Sequence, residues 1–262
     1  SGLHPGGGGR LFSLLRQNPA LQVLVGLILG NAPRLADILA AHPQAMDALI
    51  DPAFFAATPD ARHLGEALSR SLDQAISYED FLDRLRLFGQ EQIFLIGARI
   101  LSGTLSAELA GKAYARLADV IIRALHKSVE DRFVETHGRI KGQKTALLAL
   151  GKLGGREMTA ASDLDVILVY DFDEQHPESD GERSLYGGQY FARLTQRLIS
   201  ALTARTNYGA LYHVDMRLRP SGRSGPVATQ LAAFRDYQQN EAWTWEHMAL
   251  TRARVVSATP GF

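Results

Sequence analysis

The chain has 262 residues, 46% of them hydrophobic and 21% charged, and 28 basic residues balance 28 acidic ones. That is the composition of a folded globular protein with enough length for one large domain or two smaller ones. The zero net charge gives no whole-chain field for tracking nucleic acid or a membrane surface, and the absence of cysteine excludes disulfides, thiolate metal sites and a cysteine nucleophile.

Residues 1–9 are a glycine-rich run followed by Arg10-Leu11, so they lack the Gly-Lys-Ser/Thr of a phosphate loop and read as a flexible lead-in. Residues 10–138 read as a helical region. Asn18-Pro19, Ala32-Pro33, His42-Pro43, Asp51-Pro52 and Thr58-Pro59 punctuate short helices, with Asn18, Asp51 and Thr58 as N-caps and the prolines in first turns. Ser77 and Asp80 resemble a capping box opening a helix that runs to Leu101. A longer helix follows, from Leu105 to Glu135, with one apolar face through Leu117, Ile121, Leu125, Val129 and Phe133. No histidine in this region has a second histidine three or four residues away, so a metal site is not expected here, and the leucine stripes read as core.

The pattern changes after His137-Gly138, and residues 139–262 read as a second domain. Two apolar strands, Ala146–Leu150 and Val166–Tyr170, flank a glycine turn. A polar connector then leads to an amphipathic helix from Glu182 to Thr203, a strand over Ala210–Met216, a basic loop from Arg217 to Pro226 and two closing helices, Leu231–Gln239 and Glu241–Arg254. After the helical segment, this order reads as α+β or α/β on a small mixed sheet flanked by helices, and α+β is the fold class expected. The longest apolar run, Leu21–Leu29, is too short to span a bilayer, and no secretory signal is visible. A soluble protein of the reducing cytoplasm is expected, and the abrupt ends suggest a piece of something longer.

The chemistry gathers around Gly151, Asp163 and Asp165. On a strand the i, i+2 acids share a face, roughly 6.5 Å apart at Cα. A glycine turn beside them lets backbone N–H groups approach phosphate. Asp-x-Asp alone is common in solvated strands, but Asp215 on a later strand supplies a third carboxylate, and Arg217 and Arg219 follow it at two-residue steps. Three acids close together repel one another unless a cation joins them, and such a set suits two Mg²⁺ ions roughly 4 Å apart and in-line displacement at phosphorus. The plainer alternative is that Asp215 forms a surface ion pair with Arg217 or Arg219. Trp243 and Trp245, at i, i+2, are expected to be core rather than a base-stacking platform, and His247 is expected to be structural.

The spacing Gly151-x11-Asp163-x-Asp165 with a later strand acid resembles the nucleotidyltransferase superfamily that includes DNA polymerase β. Four blocks (Gly-Lys-Leu-Gly-Gly-Arg-Glu-Met at 151–158, Ser-Asp-Leu-Asp at 162–165, Val-Asp-Met-Arg-Leu-Arg-Pro-Ser-Gly at 214–222 and Glu-Ala-Trp-Thr-Trp-Glu-His at 241–247) resemble the glutamine synthetase adenylyltransferase family over residue 146 to the end. That family carries an AMP-removing and an AMP-adding half on one chain, and residues 240–254 look more like the C-terminal, adding half. The resemblance implies a polymerase β-like domain that transfers AMP from ATP to a tyrosine of glutamine synthetase, releasing pyrophosphate, in the control of nitrogen assimilation. It implies Asp163, Asp165 and Asp215 as metal-binding and catalytic acids, Asp215 also receiving or organising the tyrosine proton. Gly151 and Ser162 would face the phosphates, and Lys152, Arg217, Arg219 and Arg223 are candidates for the triphosphate. It further implies a PII-type signalling protein as a partner of the full-length enzyme, and no nucleic acid or membrane. The phosphorolytic, AMP-removing half and a non-catalytic regulatory module are the competing readings.

Overall fold

The computed structural model describes residues 6–262; the first five residues of the expected lead-in lie outside the described residues. The chain divides into two compact units, one ending at Leu117 and taking in Met158–Ala161, the other formed by Ala118–Glu157 and Ser162–Phe262. The division falls inside a long helix.

The first unit is helical. It comprises α1 (Gly6–Gln17), α2 (Pro19–Asn31), α3 (Pro33–Ala41), two 3₁₀ segments at Pro43–Ile50 and Pro52–Phe55, α4 (Ala61–Leu72), α5 (Tyr78–Leu101) and the start of α6 (Ala107–His137). The caps explain the boundaries. The Asn18 side chain accepts from the Leu21 N–H at 3.2 Å and that of Asp51 from Ala53 at 2.9 Å, each one residue before a first-turn proline. Thr58 is not a cap, because α4 starts later and Asp60 receives the His63 N–H at 2.9 Å. Ser77 does cap α5, accepting from Asp80 N–H at 3.1 Å, but the Asp80 carboxylate reaches back to Ile76 rather than to Ser77, at 3.0 Å. Leu21, Leu24 and Ile28 of α2, Leu35 and Ile38 of α3, and Ile93 and Phe94 of α5 are buried. Two arginines are buried with them. Arg99 donates to the carbonyls of Phe54 and Ala57 and stacks over the Phe54 ring, 4.0 Å from its centroid.

The second unit holds the sheet: β1 (Lys144–Ala149), α7 (Gly151–Gly155), β2 (Leu164–Asp171), α8 (Gly187–Thr203), β3 (Val214–Asp215), β4 (Ala228–Gln230), α9 (Leu231–Asn240), α10 (Thr244–Leu250) and β5 (Arg254–Ala258). The strands lie in the order β3-β2-β1-β5, and β4 pairs with β2 further along from β3. β1 is antiparallel to β2 and β5, whereas β3 and β4 run parallel to β2. The sheet is therefore mixed and the class α+β, as the sequence suggests. Strand β2 is buried from Val166 to Tyr170, on both faces, which explains its unbroken apolar run. α8 packs Tyr190, Phe191, Leu194, Leu198 and Leu202 inward, and Phe191 stacks on Tyr170 of β2 at 4.1 Å.

Three local expectations change. α8 starts at Gly187 rather than Glu182, after a bridge between Glu178 and Tyr186. The strand expected over Ala210–Met216 shrinks to Val214–Asp215, because only two residues find partners on β2. The last helix stops at Leu250, and the chain turns into β5, where Val255 and Val256 continue the sheet. Among the described residues no single helix is long and apolar enough to cross a membrane; the bent pair α2–α3 passes that test by length and composition together.

Candidate active site

The site is built at one end of β2. Leu164 pairs with Val214 and Asp165 with Asp215, so the two acids lie directly opposite each other on neighbouring parallel strands, about 4.8 Å apart in backbone spacing. Asp163, immediately before the strand, is exposed. The Leu164 N–H donates to the His213 carbonyl at 2.9 Å, which locks the register that pairs the acids.

The glycine turn closes on the same point. Leu150 follows β1 as the N-cap of α7 and donates its N–H to the Asp165 carbonyl at 2.9 Å. Gly151 then takes φ +54°, in the left-handed region, and begins α7. A Cβ at Gly151 would lie 2.2 Å from the Asp165 Oδ2 and 2.9 Å from its Cγ. Only glycine lets the backbone come this near the carboxylate. Arg156, also left-handed at φ +58°, terminates α7, and Lys152 on its first turn is exposed.

Electrostatics separate the two paired acids. Burial, with the charges of Asp215 and Asp163 adding to it, raises the pKa of Asp165 above the ordinary carboxylate value. Asp215 is shifted the other way, because Arg217 hydrogen-bonds its carboxylate. The Arg217 backbone N–H and Nε each donate to Asp215 at 2.8 Å, and Nη2 completes a fork on the same group. The ion pair weighed as the plain alternative in the sequence is therefore present, between Asp215 and Arg217, and it sits inside the site. Asp215 is mostly covered while the Arg217 side chain is 62% exposed.

The remaining basic candidates divide. Arg219 turns away from the acids and donates to the carbonyls of Met216 at 2.9 Å and Gly225 at 3.2 Å, drawing the Arg217–Gly225 loop into a closed ring. Ser221, left-handed at φ +58°, and Gly225, where a Cβ would meet the Pro220 oxygen at 2.1 Å, make that ring possible. Arg223 at its tip is exposed, and its charge helps to lower the Asp215 pKa. Ser162 is half-buried just ahead of Asp163.

The donor set has the chemistry of a divalent-cation site in part. The carboxylate oxygens are hard ligands, the charges of Asp215 and Asp163, which add to burial in raising the Asp165 pKa, are ones a cation would offset, and the missing Cβ at Gly151 leaves its oxygen uncovered on that side. These features fit. Among the described residues, though, no three acids or histidines converge in ligand geometry, and the Arg217 fork covers the face of Asp215 that would complete such a set.

The expectation that the tryptophans are core is corrected. Trp243 is 71% and Trp245 58% exposed, because α10 begins after Trp243 and presents its first turn outward. α10 is held instead by buried Glu246, which accepts from the Trp243 N–H and the Tyr237 hydroxyl, both at 2.8 Å. His247 is exposed and its Nε2 lies 2.8 Å from the Gln238 carbonyl oxygen.

Comparison with known proteins agrees with the block resemblance. The sequence profile of the family described as glutamate-ammonia ligase adenylyltransferase matches residues 22–262. A bifunctional glutamine synthetase adenylyltransferase/adenylyl-removing enzyme of Bradyrhizobium sp. strain BTAi1 is 65% identical over 255 residues, covering 97% of this chain and 26% of that protein. Proteins of the same description from Rhodopseudomonas palustris strain TIE-1 and Xanthobacter autotrophicus are 65% and 61% identical, with the same coverage. The chain spans about a quarter of the length of these curated relatives. It belongs to the glutamate-ammonia ligase adenylyltransferase family.

Proposed function

We propose that the site on β2 transfers AMP from ATP to a tyrosine hydroxyl of glutamine synthetase. The observation that carries this reading is the register of Asp165 against Asp215 beside the left-handed Gly151 turn. Asp163, Asp165 and Asp215 would hold Mg²⁺, which would neutralise triphosphate charge and strengthen the α-phosphorus as an electrophile. The α7 backbone approaches the phosphates at Gly151, with Ser162 as a hydroxyl donor. Lys152, Arg217 and Arg223 supply positive charge around the triphosphate, and Arg219 shapes the loop that carries two of these groups. In the reaction the tyrosine oxygen forms a bond to the α-phosphorus, the α–β bridging bond breaks, and pyrophosphate leaves with the electron pair. The hydroxyl proton passes to a carboxylate. Asp215 is the acid proposed for it, and it becomes available when Arg217 turns from it to the nucleotide.

The relatives' names carry both AMP addition and AMP removal, and that favours a second reading of the same acids. In removal, inorganic phosphate attacks the phosphorus of the modified tyrosine and AMP leaves as ADP, with the tyrosine oxygen taking back a proton. Incubation with α-phosphate-labelled ATP and glutamine synthetase, against incubation of labelled modified enzyme with phosphate, tells the two apart. Label moving onto the protein supports addition, and labelled ADP appearing only in the second mixture overturns it for removal. A cytoplasmic setting, control of nitrogen assimilation and a PII-type partner belong to the same reading.

A further inference from the structure

Arg254 opens β5, and its side chain joins three elements. Nη1 and Nη2 donate to the two carboxylate oxygens of Asp119 on α6, each at 2.8 Å. Nη2 also donates to the Leu153 carbonyl at 2.9 Å, and Nε donates to that of Gly154 at 3.2 Å. The pair is largely covered, with side-chain exposures of 17% and 13%.

Those two carbonyls belong to the end of α7. A helix of five residues has too few internal hydrogen bonds to hold itself, so its position is set from outside. The neighbouring backbone is pressed against it: a Cβ on Gly154 would lie 2.2 Å from the Arg252 carbonyl oxygen. The other end of α7 is Gly151, fixed against Asp165. A displacement at Leu153–Gly154 is therefore transmitted within one helical turn to the acid pair.

We propose that Arg254, oriented by Asp119, is the positioning residue of the nucleotide-binding turn, holding α7 so that Gly151 and its neighbours face the phosphates at the height of Asp165. The inference rests on reading that turn as a nucleotide site. The guanidinium suits the task because its planar fork reaches a carboxylate with one edge and main-chain oxygens with the rest. Lysine keeps the charge and loses that geometry. Arg123 supplies a matched control. It also ties α6 to β5, donating to the Val256 carbonyl at 2.7 Å, a bond that goes to the strand and not to α7.

The test compares the chain with Arg254→Lys, Asp119→Asn and Arg123→Lys, using amide hydrogen exchange over 151–157 and Mg-ATP binding by calorimetry. The expected result is faster exchange over α7 and about tenfold weaker ATP binding in Arg254→Lys and Asp119→Asn, with both readings unchanged in Arg123→Lys. In AMP transfer, the loss should fall mainly on KM for ATP. Asp119→Asn keeps side-chain volume and serves if Arg254→Lys fails to fold. Unchanged exchange over α7 in both variants overturns the clamp. Faster exchange with wild-type ATP affinity overturns its role in nucleotide positioning, as does equal weakening by Arg123→Lys. A parent chain that binds no Mg-ATP overturns the reading of the site itself, whatever the exchange shows.

Discussion

Gly151 and Asp165 meet so closely that the glycine's missing Cβ would stand 2.2 Å from the aspartate's Oδ2, with the glycine backbone at φ +54°. Both facts exclude a side chain. Gly151→Ala is expected to destabilise the second unit by about 1–2 kcal/mol through the left-handed backbone alone, and to displace either α7 or the Asp165 carboxylate. Urea unfolding reads the first effect, and Mg-ATP calorimetry reads the second as a large loss of affinity. Wild-type values in both would remove the close approach from the account.

Arg217 makes a prediction of opposite signs. Its fork occupies Asp215 while its exposed side chain has room to turn to a phosphate. Arg217→Ala should therefore strengthen Mn²⁺ binding in the absence of nucleotide, by releasing Asp215, and weaken binding of ATP. Titration with Mn²⁺ followed by paramagnetic resonance, alongside ATP calorimetry, separates the two. Weakening of both would mean that the ion pair supports the fold rather than covering a cation site.

His126 links α6 to the sheet, with ring nitrogens 2.8 Å from the Ser257 hydroxyl and 3.1 Å from that of Thr145. Burial pushes its pKa below the ordinary value, and this outweighs the raising effect of Glu130. The folded protein thus keeps the ring neutral while the unfolded chain takes up a proton as pH falls through about 6.5. Stability from this group is complete above that value and is lost as pH drops toward the folded pKa. The urea midpoint should fall on acidification across that range, and His126→Gln should flatten the fall. A slope unaltered by the substitution would assign the pH response to other groups.

Trp243 and Trp245, the chain's two tryptophans, are both exposed. Trp243→Ala and Trp245→Ala should each change stability by less than about 0.5 kcal/mol, and native fluorescence should be quenched freely by acrylamide. A protected, blue-shifted emission would contradict their placement.

The parts of the site that were legible in the sequence are those set by neighbours in the chain. Asp165 lies on β2 as period two suggests, whereas Asp163 falls just before the strand, and the Gly151 turn follows from glycine's access to positive φ. Asp215 could be named as a third acid, but its pairing with Asp165 depends on a parallel contact fifty residues away in a strand of two residues, which leaves no periodic trace. Arg219 looked equivalent to Arg217 on an extended strand. The chain instead leaves the sheet after Asp215, so the two side chains diverge, one to a carboxylate and one to carbonyls. Arg254 was hidden because β5 reads as the tail of a helix until β1 offers it a partner. The tryptophans depart from the expected core positions because Trp243 precedes α10 and Trp245 lies on its outward first turn.

The central claim is that the paired acids perform nucleotidyl transfer. Its most direct measurement is movement of label from α-phosphate-labelled ATP onto glutamine synthetase, by the parent chain and by Asp165→Asn, at saturating Mg²⁺. Transfer by the parent is expected, with a loss of at least about a hundredfold in the variant and its fold intact by circular dichroism. Equal transfer by the two proteins would contradict it.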